Sequence, residues 1–164
     1  RAGEHLAQRI LQVAGRAGRG ERPGEVLIQT HHPEHPLLRS LLEEGYEAFA
    51  ARALEERREA GLPPFAPAAL LRAEAADAVS ALSFLDEARA LLPTGPEAGG
   101  VQAMGPAPSP MERRAGRHRA QLLLLGRGRP ALHHVLDDWL PAVEQLRPGH
   151  GVRWSLDVDP QEMA

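Results

Sequence analysis

The chain of 164 residues contains no cysteine. A disulfide framework and a thiolate zinc site are therefore excluded within it. It contains no lysine either, since all 19 basic residues are arginine. A Walker phosphate loop needs its lysine to reach the β- and γ-phosphates, so this sequence holds no such loop. No apolar run approaches the roughly 20 residues of a membrane-spanning helix, and the opening residues carry no signal-peptide pattern. With lipid, secretion and disulfide signals missing, the expected compartment is the cytoplasm. The formal net charge is −3, so any surface for a polyanion must be local rather than global. The chain opens on RAGEHLAQRI with no initiator methionine, which suggests a piece of something longer.

The hydrophobic content of 43% is enough for the core of one domain, or of one domain plus part of another. Apolar spacing at Leu6, Ile10, Leu11 and Val13 predicts a helix over residues 4–17, ended by Gly18 and Gly20. GEVLIQT, Gly24 to Thr30, reads as a buried strand. A proline-punctuated loop, HHPEHP, follows, and then a helix over 37–60 with Gly45 as a possible break. GLPPFAP, Gly61 to Pro67, reads as a stiff linker.

The last hundred residues have a clearer rhythm. A strand is expected over 69–75, then a helix over 77–92 capped by Asp77 and carried by Val79, Leu82, Leu85, Ala88 and Leu92. A short strand at 101–104 precedes a proline-rich turn, PAPSP, and another strand covers 118–125. Leu132, Val135, Leu136, Trp139, Leu140 and Val143 mark an amphipathic helix. Val152, Trp154, Leu156 and Val158 alternate with polar residues as a final strand. The order is that of a split βαβ, or ferredoxin-like βαββαβ, sandwich in the α/β (α+β) class. Trp139 and Trp154 are expected in the core, and could stack bases only from an open sheet face.

Four constellations could carry chemistry. In QVAGRAGR, Arg16 and Arg19 lie three apart and would share a helical face. They could stabilise charge on a transferring γ-phosphoryl group, since arginine is permanently charged and donates in a rigid fork. They could equally form an exposed arginine-glycine turn or an RNA-binding box. HHPEH, His31 to His35, lacks the helical spacing for zinc, because Pro33 interrupts it, and reads as a capping loop. Asp157 and Asp159 read as solvated edge charges more readily than as a hard-cation site. RRAGRHR places Arg113, Arg114, Arg117 and Arg119 on or beside a hairpin, where clustered arginine suits phosphate-backbone contact.

QVAGRAGR resembles motif VI of superfamily 2 helicases. GEVLIQTHHPEHP, GYEAFAARALEERREAGLPPF, GPAPSPMERRAGRHRAQLLLL and the terminal VRWSLDVDP are more specific, and together resemble the primosomal protein N′ family of replication restart helicases. The match covers nearly the whole chain but only the C-terminal part of that family's protein. The resemblance implies three regions: 1–30 as the end of the second RecA-like helicase lobe, 31–66 as a helical connector, and 67–164 as a C-terminal DNA-binding and interaction domain.

It also implies an ATP-dependent 3′-to-5′ DNA helicase that recognises stalled or abandoned forks and helps reload the replicative helicase. Gln12, Gly15, Arg16 and Arg19 would face ATP across the lobe cleft, with Arg16 and Arg19 as arginine fingers. ATP and Mg²⁺ would bind in the intact protein and zinc in an upstream domain, so this piece alone should not hydrolyse ATP. Arg113, Arg114, Arg117 and Arg119 would touch DNA; the family often has an aromatic residue where His118 stands. Arg129 would pair with the terminal carboxylate of the acidic tail of single-stranded DNA-binding protein. His133 would line the same site, where the family commonly has an amide. The implied partners are forked and single-stranded DNA, that acidic tail and other primosome components, in the bacterial cytoplasm at the nucleoid. The alternative is a stand-alone ferredoxin-like nucleic-acid-binding module, for which residues 1–30 are dispensable.

Overall fold

The computed structural model describes residues 2–17, 25–147 and 151–161. The chain divides into two compact units, Arg1–Ala60 and Gly61–Ala164. Each is described by itself.

The first unit is helical. Helix α1 spans Ala2–Ala17, α2 Pro36–Glu43 and α3 Tyr46–Glu59. Pro36 opens α2, where its missing N–H costs nothing. His35 caps that helix by accepting from the Leu37 N–H through Nδ1 at 3.3 Å. The long helix expected over 37–60 breaks at Gly45, whose φ of +89° is open to glycine and strained for other residues. Ala7, Leu41 and Phe49 form a small buried cluster, and Arg57 pairs with Glu4 at 2.8 Å between α3 and α1.

The strand expected at GEVLIQT is not formed. Gly24 lies outside the described residues, and residues 25–30 join no ladder. Leu27 is 88% exposed. A β-strand is completed by hydrogen bonds to a neighbour, and the described part of this unit contains no second strand to supply them.

The second unit contains β1 (Ala68–Ala75), α4 (Ala78–Ala90), β2 (Gln102–Arg114), β3 (Arg117–Leu125), α5 (Arg129–Gln145) and β4 (Arg153–Val158). The sheet order is β2-β3-β1-β4, and every pairing is antiparallel. This is the expected ferredoxin-like α+β arrangement. Ala69, Leu71 and Ala73 of β1, with Leu122 and Leu124 of β3, meet Phe84 and Leu85 of α4 and Leu132, Leu136 and Trp139 of α5 in one core. The Trp139 indole N–H donates to the Ala88 carbonyl at 2.8 Å, so the buried ring leaves no polar group unpaired.

Three expectations are corrected here. Val79 is 76% exposed, and Ala81, Phe84, Leu85 and Ala88 form the buried stripe of α4 instead; apolar spacing gives a helix its period, but docking sets its phase. Trp154 is only partly buried, on the helix-covered side, stacked on Phe84 at 6.0 Å between centroids. PAPSP is not a turn, because β2 runs through it. Since β2 is an edge strand, proline's missing N–H breaks no interior ladder. The strand adapts through register breaks between Met104 and Ala107 and between Pro108 and Arg113. Gly105 serves the first break, with a φ of +102° that strains other residues and a Cβ position only 3.0 Å from the Gln121 carbonyl oxygen. Arg89 of α4 donates to the Gly105 carbonyl from the helix side.

Candidate nucleic-acid interface and partner site

The β2–β3 hairpin closes through Ala115 and Gly116, both at positive φ. That is the backbone of a two-residue turn whose twist matches the flanking strands. Arg114 stands opposite Arg117, and Arg113 opposite His118. The four arginines therefore gather at one end of the sheet, but they are not equivalent. The Arg113 and Arg114 side chains are exposed and make no hydrogen bond or ion pair among the described residues. Arg117 turns inward, donating to the Glu74 carbonyl at 2.9 Å and to the Gly151 carbonyl. Arg119 lies 3.0 Å from the Glu74 carboxylate and is largely covered. Two guanidinium groups thus tie the hairpin to the end of β1, and two point into solvent.

The sheet face away from the helices offers no stacking platform. By register it carries Arg72, Glu74, Arg119, Gln121, Ser155 and Asp157, with Leu70 and Leu123 toward the other end, and no Phe, Tyr or Trp from any described strand. Arg72 pairs with Asp157 at 3.0 Å across β1 and β4. Asp159, like Asp157, has an arginine partner: it pairs with Arg129 at 3.1 Å. Among the described residues, no group of three or more His, Asp or Glu side chains could hold a metal.

Arg129 opens α5 directly after Gly128, at the positive end of the helix dipole. Its side chain is 74% exposed despite the ion pair with Asp159. His133 is exposed one turn later. It borders a groove of about 280 Å³ whose apolar lining comes from Leu136, Leu140, Leu156 and Val158, with Asp137 and Glu144 also lining it.

In the first unit, Gln12 and Arg16 are exposed four residues apart on α1, which puts them on neighbouring turns of one face. Gly15 lies within that helix, with open space at its Cβ position. Arg19 lies outside the described residues, so its position relative to Arg16 is not defined. No described helix is long and apolar enough to cross a membrane.

Residues 58–161 match the family model for the primosomal protein N C-terminal domain. The chain belongs to this family. It is 43% identical over 164 residues to replication restart protein PriA of Haemophilus influenzae, covering all of this chain and 22% of that protein. It is 36% identical to the protein of the same name from Synechocystis, covering 98% of this chain and 18% of the relative. The Bacillus subtilis protein of that name is 29% identical, with 99% and 20% covered. The chain thus spans about a fifth of the length of the curated relatives it matches. Within this primosomal domain, sequence reasoning missed the irregular stretch of β2 before the arginine tip. The only sign of it was the run of alternating prolines, which reads as a turn until a neighbouring strand is present.

Proposed function

We propose that this chain is the C-terminal part of a replication restart helicase, and that its ferredoxin-like unit holds branched DNA through the β2–β3 hairpin. The observation that carries the reading is the exposed pair Arg113 and Arg114, on a hairpin that Arg117 and Arg119 tie to Glu74, in a chain of net negative charge. Two solvent-facing guanidinium groups on an anchored hairpin suit sequence-independent contact with phosphates. Arg113 and Arg114 are then the principal contacts. Arg117 and Arg119 act first as supports and add positive potential.

On this reading the intact protein is an ATP-dependent 3′-to-5′ helicase of the bacterial cytoplasm and nucleoid. It recognises stalled or abandoned forks and helps reload the replicative helicase with other primosome components. Gln12 and Arg16 present an exposed pair of side chains suited to an anionic ligand, and Gly15 between them leaves the approach unobstructed. Arg16 and Arg19 would stabilise charge on the γ-phosphoryl group that ATP supplies when bound with Mg²⁺. Zinc would belong to a region upstream of this sequence. The open side of Arg129 would receive the terminal carboxylate of the acidic tail of single-stranded DNA-binding protein, displacing Asp159. His133 and the adjoining apolar groove would take a side chain next to it. Asp137 and Glu144 repel acidic residues and hold the tail toward the Arg129 end.

The stand-alone module fits less well. It treats residues 1–30 as dispensable, yet Ala7 of α1 is buried with Leu41 and Phe49. A sheet-reading module also needs aromatics on the open face. Fluorescence anisotropy on one fork across a salt series tests the hairpin. Arg113→Ser with Arg114→Ser should weaken binding to forks of any sequence and make the salt slope shallower by roughly 1–2 units. Equal affinity and equal slope would remove the hairpin as a DNA contact.

A further inference from the structure

The second register break of β2 is large. Pro108 stands opposite Ala120 and Arg113 opposite His118, so four residues of β2 face one residue of β3. The surplus chain has to leave the ladder. Ser109 is tucked in at 5% exposure, while Pro110, Met111 and Glu112 are exposed. Met111, at 57% exposure, lies two residues before the solvent-facing arginine pair. In the described fold this thioether packs little, so its burial adds little to stability. Bulges commonly re-aim a side chain beside a functional site.

We propose that Met111 is an apolar wedge that inserts at an unstacked base step of branched DNA while Arg113 and Arg114 hold the adjoining phosphates. This rests on the reading of the hairpin as a DNA contact and says what the hairpin prefers. Proteins that bend or open duplexes use Met, Pro and other apolar side chains in this way, with cationic residues on the backbone. Methionine suits the task because its unbranched, polarisable chain adapts to any base. Glu112 is exposed between Met111 and Arg113 and repels phosphate. The patch is therefore short: one apolar tip and two cations, which fits a branch point better than a long duplex track. A branch already has unpaired ends, so the cost of unstacking is lower there than within a continuous duplex.

The test uses the 164-residue chain, a fork carrying 2-aminopurine at the branch, and a linear duplex of matched sequence. Wild type should raise the 2-aminopurine fluorescence on the fork. Met111→Ala should lose more than about half of that rise and about three- to tenfold of the fork-over-duplex preference. Its duplex affinity should stay within about twofold of wild type, and Met111→Leu should retain the signal. Because Met111 is exposed, its variants should melt with wild type. No fluorescence rise in wild type, or an unchanged rise and preference in Met111→Ala, overturns the wedge. If the Arg113→Ser/Arg114→Ser variant then still weakens binding to both DNAs, the hairpin contacts DNA without a wedge. If neither variant changes binding, the hairpin reading falls and the wedge falls with it.

Discussion

The two units use apolar residues in opposite ways. The C-terminal unit sinks its leucines, alanines and Trp139 into one continuous core between a four-stranded sheet and two helices. The N-terminal unit has a three-residue buried cluster, and leaves Leu6, Leu11, Val13, Leu27, Leu42 and Leu54 largely exposed. Both have helices with good apolar periodicity. The contrast shows that periodicity makes an element, whereas burial needs a second surface of the right shape. In the C-terminal unit the sheet supplies that surface. In the N-terminal unit three helices and an unpaired extended segment supply little of it.

The largest effect expected separates the units by task. With upstream helicase motifs in place, Arg19→Ala should cut DNA-stimulated ATP hydrolysis on the order of 10³-fold or more, and Arg16→Ala should behave similarly. Neither change should alter fork affinity on the proposed reading, in which the β2–β3 hairpin carries it. ATPase activity within about threefold of wild type would remove both arginines from the transition state.

The next effect separates the units by stability. Trp139→Ala removes a ring that is 2% exposed, together with its hydrogen bond to Ala88. It should cost about 3–5 kcal/mol in urea unfolding. Trp154→Ala removes a partly buried ring and should cost roughly half as much. Equal losses from the two would contradict the placement of Trp154 at the margin of the core. If the units melt separately, helicity from the N-terminal unit should persist when Trp139→Ala unfolds the other.

The smallest effect concerns the cap of α4. The Ser80 backbone N–H donates to the Asp77 carboxylate at 2.8 Å and its hydroxyl at 2.9 Å. These bonds hold the Asp77 carboxyl below the usual carboxylate range, the backbone N–H contributing most. A depressed folded-state pKa gives stability that is complete above the unfolded value of about 3.9 and is lost as pH falls through the folded value. Asp77→Asn keeps a capping oxygen but cannot titrate. Its melting temperature should therefore lie close to that of wild type at neutral pH, and should lack the wild-type loss contributed by this group below about pH 4. Parallel pH–melting curves for the two proteins would show that Asp77 is not the titrating cap.

The order of elements in the C-terminal unit was legible because each carries local evidence: alternation from Val152 to Val158, the 3.6-residue stripe from Leu132 to Val143, and Asp77 ahead of a helix. The arginine cluster was legible as a composition anomaly. Its division into two supports and two solvent-facing cations was not. Glu74, Gly151 and Arg117 are far apart in sequence and meet only when β1, β3 and the approach to β4 come together. The same holds for Arg129 and Asp159, which the closing strand brings to the start of α5.

Sequence alone therefore determined the helix periods, the cap at Asp77, the break at Gly45, the βαββαβ order and the absence of a lysine-bearing phosphate loop. These depend on covalent geometry and on neighbours within about one turn or one strand. Tertiary structure decided the rest. It set the phase of α4 and carried β2 through its prolines. It left residues 25–30 without a ladder and Met111 outside one. Each of those outcomes depends on whether another segment offers an edge or a face at the right distance, and a local pattern does not contain that information.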